Sequence, residues 1–270
     1  MKDLFRPGPF EYRMGLSKGK AEDFFKHDPE DEIVLKERKR ILSEHPERHC
    51  ELLDEGRDSL EEFNELLVHW GIIPSSLSLK KLGESISPDV LFMKGDTLLG
   101  GCVCFPSSWA FEDKVGKSLD WIHGAVPTLN EKFADKITHF INKIPKDIGW
   151  LRSNWGLSGD NLLNHHPALN LPQLTESTSM NDIWFRVERQ LLFSLPKTQS
   201  VLFGIRVQNY PLFEAVEDEE VKTGLLEALK TMPKEIAKYK NINRVQDSII
   251  NHLTGTTIIC SNQFDRILST

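Results

Sequence analysis

The chain has no Gly-x-Gly-x-x-Gly turn and no Walker-type phosphate loop, so nothing in it marks a nucleotide of its own. Its four cysteines, Cys50, Cys102, Cys104 and Cys260, include no Cys-x-x-Cys pair and no Cys-x-x-Cys-His haem-attachment motif. That argues against a cysteine-held iron–sulfur cluster or structural zinc. Cys102 and Cys104, which share one face of an expected strand, read instead as small buried hydrophobes. No apolar run approaches the about 18–20 residues that a membrane helix needs. The opening Met1-Lys2-Asp3-Leu4-Phe5-Arg6-Pro7-Gly8 lacks the apolar centre of a signal peptide, so the expected location is cytoplasmic, with no membrane partner. Dense Lys/Arg runs are also missing and the net charge is −7, which disfavours binding to a nucleic-acid backbone.

What the chain does have is enough apolar content, 39% of 270 residues, for one large core or for one core with a helical appendage. From about residue 20 to 71 the pattern is helical. Ile33, Val34, Leu35, Ile41 and Leu42 mark an apolar face among many charges. A second helix is expected from Ser59, where Ser59 and Glu62 fit a capping box, through Phe63, Leu66, Leu67 and Trp70 to a stop at Gly71. Pro74-Ser75-Ser76 reads as a linker. The domain reading is a helical region over 1–75, an α+β core over 76–215, and C-terminal helices with a tail over 216–270.

After Pro88 the period changes from helical to alternating. Val90-Leu91-Phe92-Met93 and the run from Thr97 to Phe105 predict a hairpin turning at Gly95-Asp96, with a bulge or close backbone approach at Gly100-Gly101. Thr128 and Glu131 suggest the cap of a helix carrying Phe133, Ile137, Phe140 and Ile141. Strands are expected over 148–155, 183–195 and 201–210, and a polar, irregular stretch over 158–182 contains His165-His166-Pro167. On the long strand Phe185, Val187, Leu191 and Phe193 share one face, and Arg186, Glu188 and Gln190 share the other. Arg189 falls on the apolar side, which suits it to an anion or a carboxylate. Helices over 219–231 and 233–239 complete the order, and helices, antiparallel strands, then helices indicate an α+β fold.

Several side chains are candidates for chemistry, each beside a plainer reading. His123 lies between an apolar run and Val126-Pro127, and is either a neutral axial ligand to haem iron or a core imidazole bonded to a carbonyl. Arg152, next to Asn154 and Trp155, either clamps a carboxylate or propionate or pairs structurally with Glu188. Arg186, Glu188 and Arg189 either line a polar pocket or form a cross-strand ladder of charges with Arg206. His165-His166 either chelate a metal or belong to a solvated loop.

The motifs occur in one order: Phe105-Pro106-Ser107-Ser108-Trp109, then Lys114-x-Gly116-x-x-Leu119-x-x-Ile122-His123-x-x-Val126-Pro127, then Arg152-x-Asn154-Trp155, then Arg186-Val187-Glu188-Arg189-Gln190-x-Leu192-x-x-Leu195-Pro196, then Phe203-x-Ile205-Arg206. With Pro7-Gly8-Pro9-Phe10 and Met14-Gly15-Leu16 they resemble the haem-dependent oxidative N-demethylase alpha-subunit-like family. The resemblance implies a PAS-like antiparallel sheet with flanking N- and C-terminal helices, holding haem b. It implies the use of dioxygen to convert a small secondary amine such as dimethylamine into a primary amine and formaldehyde. Electrons would come from partner subunits carrying FMN and an iron–sulfur cluster. By the same resemblance, His123 is the expected haem-iron ligand. Arg152, Trp155, Arg186 and Arg189 are the expected cofactor contacts, and Glu188 is the expected catalytic residue, orienting the amine cation. The alternatives are a non-catalytic haem or small-ligand sensor on the same PAS-like core, and an interaction module without cofactor. Gly124-Ala125 stands where the family has Ala-Pro, which implies a freer backbone after His123.

Overall fold

Two runs of alternating residues joined by a short turn fold into the longest hairpin of the protein, β6 (Trp184–Ser194) and β7 (Val201–Pro211). In the computed structural model, which describes residues 4–5, 8–11, 14–127 and 129–255, this hairpin is the centre of a 7-stranded antiparallel sheet. The other strands are β1 (Ser17–Gly19), β2 (Cys50–Leu52), β3 (Asp89–Lys94), β4 (Thr97–Cys102) and β5 (Gly149–Ser158), and the order is β1-β5-β6-β7-β3-β4-β2. The first hairpin, β3–β4, thus lies against the last strand, β7, as in a PAS-like sheet. The α+β class and the sheet expected from the sequence are both present.

The predicted bulge is real and has a steric cause. Gly100 and Gly101 adopt φ of +131° and +153°, and pairing slips between Phe92 and Met93 opposite them. A Cβ on Gly100 would stand 2.2 Å from the Glu51 carbonyl oxygen, and one on Gly101 would stand 2.0 Å from that of Val90. Only glycine lets β4 run this close to both neighbours.

The N-terminal helices are α1 (Ala21–Phe25), α2 (Asp31–Glu44), α3 (Pro46–His49), α4 (Arg57–His69) and α5 (Leu79–Gly83). Then come α6 (Leu119–His123) and α7 (Leu129–Asn142), and at the C-terminal end α8 (Leu212–Ala215), α9 (Glu219–Thr231), α10 (Lys234–Tyr239) and α11 (Gln246–Thr254). Among the described residues no helix is long and apolar enough to cross a membrane. One face of β6 serves two cores. Phe185 and Val187 pack with Leu225, Leu229, Ile236 and Ile249 of the C-terminal helices. Leu191 and Phe193 belong to the larger core with Phe25, Phe63 and Phe92, and Trp70 meets Phe193 edge-on at 6.2 Å.

Two local expectations are corrected here. Ser59 and Glu62 do not cap a helix, because α4 begins at Arg57. Instead Ser59 bonds Ser200, and the buried Glu62 carboxyl accepts the Lys197 N–H (2.6 Å), the Thr198 N–H (2.8 Å) and the Thr198 hydroxyl (2.7 Å), tying α4 to the β6–β7 turn. On α2, Ile33 is 78% exposed, while Arg38 is fully buried on the face with Ile41 and Leu42. Arg38 is neutralised by Asp89 at 2.5 Å, and its Nε donates to the Gly83 carbonyl at 2.6 Å. Gly124 continues the helical turn after His123, with φ −58° and ψ −24°. Of the capping pair expected at Thr128 and Glu131, Thr128 lies outside the described residues.

Candidate functional site

Strand pairing assembles a polar patch on the sheet face opposite Phe185, Val187, Leu191 and Phe193. Arg152 stands opposite Gln190, Asn154 opposite Glu188, and Gly156 opposite Arg186, so their side chains project the same way. Glu188 is the hub of this patch. Its carboxyl accepts from Gln190 Nε2 (2.9 Å), from Asn154 Nδ2 (3.4 Å) and from the Ser107 hydroxyl. A Cβ placed on Gly156 would meet no heavy atom within 4 Å, so the same face keeps open space beside these groups.

Arg186 explains how Ser107 reaches Glu188. Its guanidinium is buried and donates to Ser107 Oγ (2.9 Å) and to the carbonyls of Phe105 (3.0 Å), Leu162 (3.2 Å) and Leu163 (2.8 Å). One planar fork therefore staples two loop segments onto the strand. Burial holds its pKa below the ordinary arginine value, while nearby Glu188 and Asp89 oppose that shift.

His123, the last residue of α6, comes within electrostatic range of Arg152. Burial lowers its pKa, and the Arg152 cation lowers it further, so the imidazole is neutral near pH 7. Arg152 is itself pushed down by burial and pulled up by Glu188. Its Nε is buried and has no hydrogen-bond partner among the described residues. A buried guanidinium with an unused donor is the arrangement that a carboxylate satisfies.

Lys240, just after α10, closes the other side. Its ammonium donates to the Trp155 carbonyl (2.6 Å) and lies 3.5 Å from Asn154 Oδ1, 5.1 Å above the Trp155 ring. Accepting at Oδ1 turns the Asn154 amide so that its NH₂ faces Glu188. Burial draws the Lys240 pKa down to about 8, with Arg152 reinforcing the shift and Glu188 opposing it. Lys240 also lines a cleft of about 730 Å³ together with Ser158, His165, Leu174 and Arg244.

The structure brings His123, Arg152 and Glu188 together, and Arg186 touches the group through Ser107. Trp155 projects from the opposite face of β5, where it packs on Phe5 (5.4 Å) and Phe185 (5.8 Å), and it reaches this group only through its carbonyl and Lys240. Arg189 lies on that opposite face too, exposed between the two cores, and stands across from Arg206. Arg206 is held elsewhere, by Asp31 (2.9 Å) and the carbonyls of Phe24 (2.9 Å) and Lys26 (2.8 Å). Sequence reasoning gave no role to Ser107, Asn154, Gln190 or Lys240. The period of two along β5 and β6 would have found Asn154 and Gln190, but nothing local marks Ser107 or Lys240.

His165 and His166 are not in a solvated loop. His165 Nε2 stands 3.1 Å from Asp160 Oδ1, and the buried His166 has Nε2 3.0 Å from Glu112 Oε1. Among the described residues no group of His, Cys, Asp and Glu side chains is placed to hold a metal ion by itself. A metal held through a single imidazole within an organic ring does not need such a group. Residues 73–250 match the family described as haem-dependent oxidative N-demethylase, alpha subunit-like. The chain belongs to this family. The match spans β3 to β7 and the helices from α5 to α10, and so contains every side chain of the polar patch. The family's name carries haem dependence and a likeness to an alpha subunit. A neutral imidazole within range of a guanidinium whose buried Nε has no hydrogen-bond partner among the described residues, near a face with open space, fits a metal-bearing group with carboxylate arms.

Proposed function

We propose that this chain is the haem-binding subunit of an oxidative N-demethylase that acts on a small secondary amine of the dimethylamine kind. The reading rests on one observation above the others. Glu188 and Arg152 share one open, polar sheet face, His123 at the end of α6 lies within electrostatic range of Arg152, and Arg152 Nε has no hydrogen-bond partner among the described residues. His123 would hold the iron of haem b through its neutral imidazole, and Arg152 would take a propionate on its free Nε. Haem, when bound there, supplies the activation of dioxygen, with electrons delivered by flavin- and iron–sulfur-bearing partner subunits.

The remaining work falls to the chain's own side chains. A carboxylate offers about four lone-pair directions. Ser107, Asn154 and Gln190 occupy three of those at Glu188, all as neutral donors. The remaining direction is available to the N–H of an ammonium substrate, which supplies the positive charge that the neutral donors do not. Glu188 then orients the amine and takes the ammonium proton at the carboxylate oxygen. Once the methyl carbon carries a hydroxyl, that hydroxyl loses its proton as its C=O bond forms, and the C–N bond breaks with its electron pair on nitrogen. Glu188 returns the proton to that nitrogen, so formaldehyde and the primary amine leave. Lys240 positions Asn154 and thereby Glu188.

The test is haem reconstitution followed by turnover with a chemical reductant, dioxygen and dimethylamine, with formaldehyde as the readout. Formaldehyde that depends on haem and is lost in Glu188→Gln, while haem is still bound, supports the reading. Haem bound with no formaldehyde from any small amine would instead make the chain a sensor or carrier.

A further inference from the structure

Away from the polar patch, the edge of the sheet carries a second reactive arrangement. Cys50 on β2 and Cys102 on β4 are directly opposed. The Val103 N–H donates to the His49 carbonyl (2.7 Å), and the Leu53 N–H donates to the Leu99 carbonyl (2.9 Å). Hydrogen-bonded pairs alternate along an antiparallel ladder, so Cys50–Cys102 falls at a non-hydrogen-bonded position, where Cα atoms approach to about 4.5 Å and side chains lie closest. That separation is inside the range of about 4.4–6.8 Å that a disulfide spans. Cys104 is two residues past Cys102, beyond the end of β4, roughly 6.6 Å away if the chain stays extended at about 3.3 Å per residue, and so sits at the limit of that range.

The surroundings distinguish the two sulfurs. Arg38 places Nη2 3.6 Å from Cys102 Sγ. Gly83 makes room on the other side, since a Cβ there would lie 2.3 Å from the same sulfur. Cys50 is half-buried on β2, which ends the sheet and opens to solvent. We propose that Cys50 and Cys102 are a peroxide-responsive thiol pair that closes into a cross-strand disulfide. Hydrogen bonds from Cys104 and Cys50, with the Arg38 charge, hold Cys102 well below the ordinary thiol value, and the bond to Cys102 raises Cys50. The Arg38 guanidinium beside its sulfur favours the thiolate of Cys102.

In the first step the Cys102 thiolate attacks one oxygen of hydrogen peroxide. An S–O bond forms, the O–O bond breaks, and the departing hydroxide is neutralised to water by the proton that the Cys102 thiol released to solvent on ionising. In the second, the Cys50 sulfur attacks the resulting sulfenic acid. The S–S bond forms, the S–O bond breaks, and the thiol proton leaves with the oxygen as water. The two sulfurs give up two electrons in all, and one peroxide becomes two waters.

The experiment uses the full chain with Cys260→Ser, reduced and then exposed to hydrogen peroxide under native conditions. The expected result is a mass loss of two hydrogen atoms, a peptide carrying Cys50 joined to one carrying Cys102, and reversal by dithiothreitol. Adding Cys50→Ser should leave the fold intact by circular dichroism, abolish the link, and leave oxygen adducts on Cys102. Adding Cys104→Ser should leave the link in place. The proposal is overturned if both thiols stay free in the native protein yet oxidise once it is unfolded, or if Cys102 is joined to Cys104.

Discussion

Glu188 and Arg152 share a sheet face, but their substitutions should affect different measurements. Glu188→Gln keeps the size of the side chain and removes its charge. With haem bound, it should lower kcat/KM for the amine by on the order of 10²-fold, the lower end for a lost acid–base group. Arg152→Met removes the unused donor and should weaken haem binding, measured by titration. A charge-assisted bond is worth about 1.5–3 kcal/mol, equal to roughly ten- to a hundredfold in affinity. The pH behaviour of two bases separates them further. His123 has its folded pKa lowered below 6.5, so between that lowered value and 6.5 the unfolded chain binds more protons and stability falls as pH drops. Lys240 is lowered from 10.5 to about 8, so its contribution to stability grows as pH climbs through that window. Urea midpoints of the native chain should therefore rise relative to those of Lys240→Met between those two values. Equal midpoints throughout would show that Lys240 is not held out of water.

At the level of elements, the buried ion pair between α2 and β3 joins the N-terminal helices to the sheet. Asp89 accepts Arg38 Nη1 and also the N–H groups of Cys104 (2.7 Å) and Phe105 (3.0 Å). Arg38→Met leaves that carboxylate buried without its counter-charge and should cost about 3–5 kcal/mol in chemical denaturation. The long hairpin, α9 and α10 were legible in the sequence because each carries its own period over many residues. Arg38 was not, since its partner is 51 positions away and an arginine among lysines and glutamates reads as solvent-facing. β1 and β2 were hidden for a similar reason. Each has three residues, too few to show alternation, and they are strands only because β5 and β4 present an edge to them. At the candidate site, parity along β6 placed Glu188 and Arg186 correctly on one face. It also put Arg189 on the face of Phe185 and Leu191, but parity does not show that the two cores covering that face leave Arg189 exposed between them.

For the whole molecule, the sheet is the frame on which two loop segments, α6 and the chain after α10 converge, and the family match covers its five strands from β3 to β7. The central claim is that this convergence holds haem through His123. The most direct measurement is the absorption spectrum during titration of haem into the native protein and into His123→Ala. A saturable Soret band with one haem per chain, shifted and weakened in His123→Ala while circular dichroism stays unchanged, is the predicted result. A native protein that gives only the spectrum of free haem, or a variant whose band matches the native one in position and affinity, would contradict it.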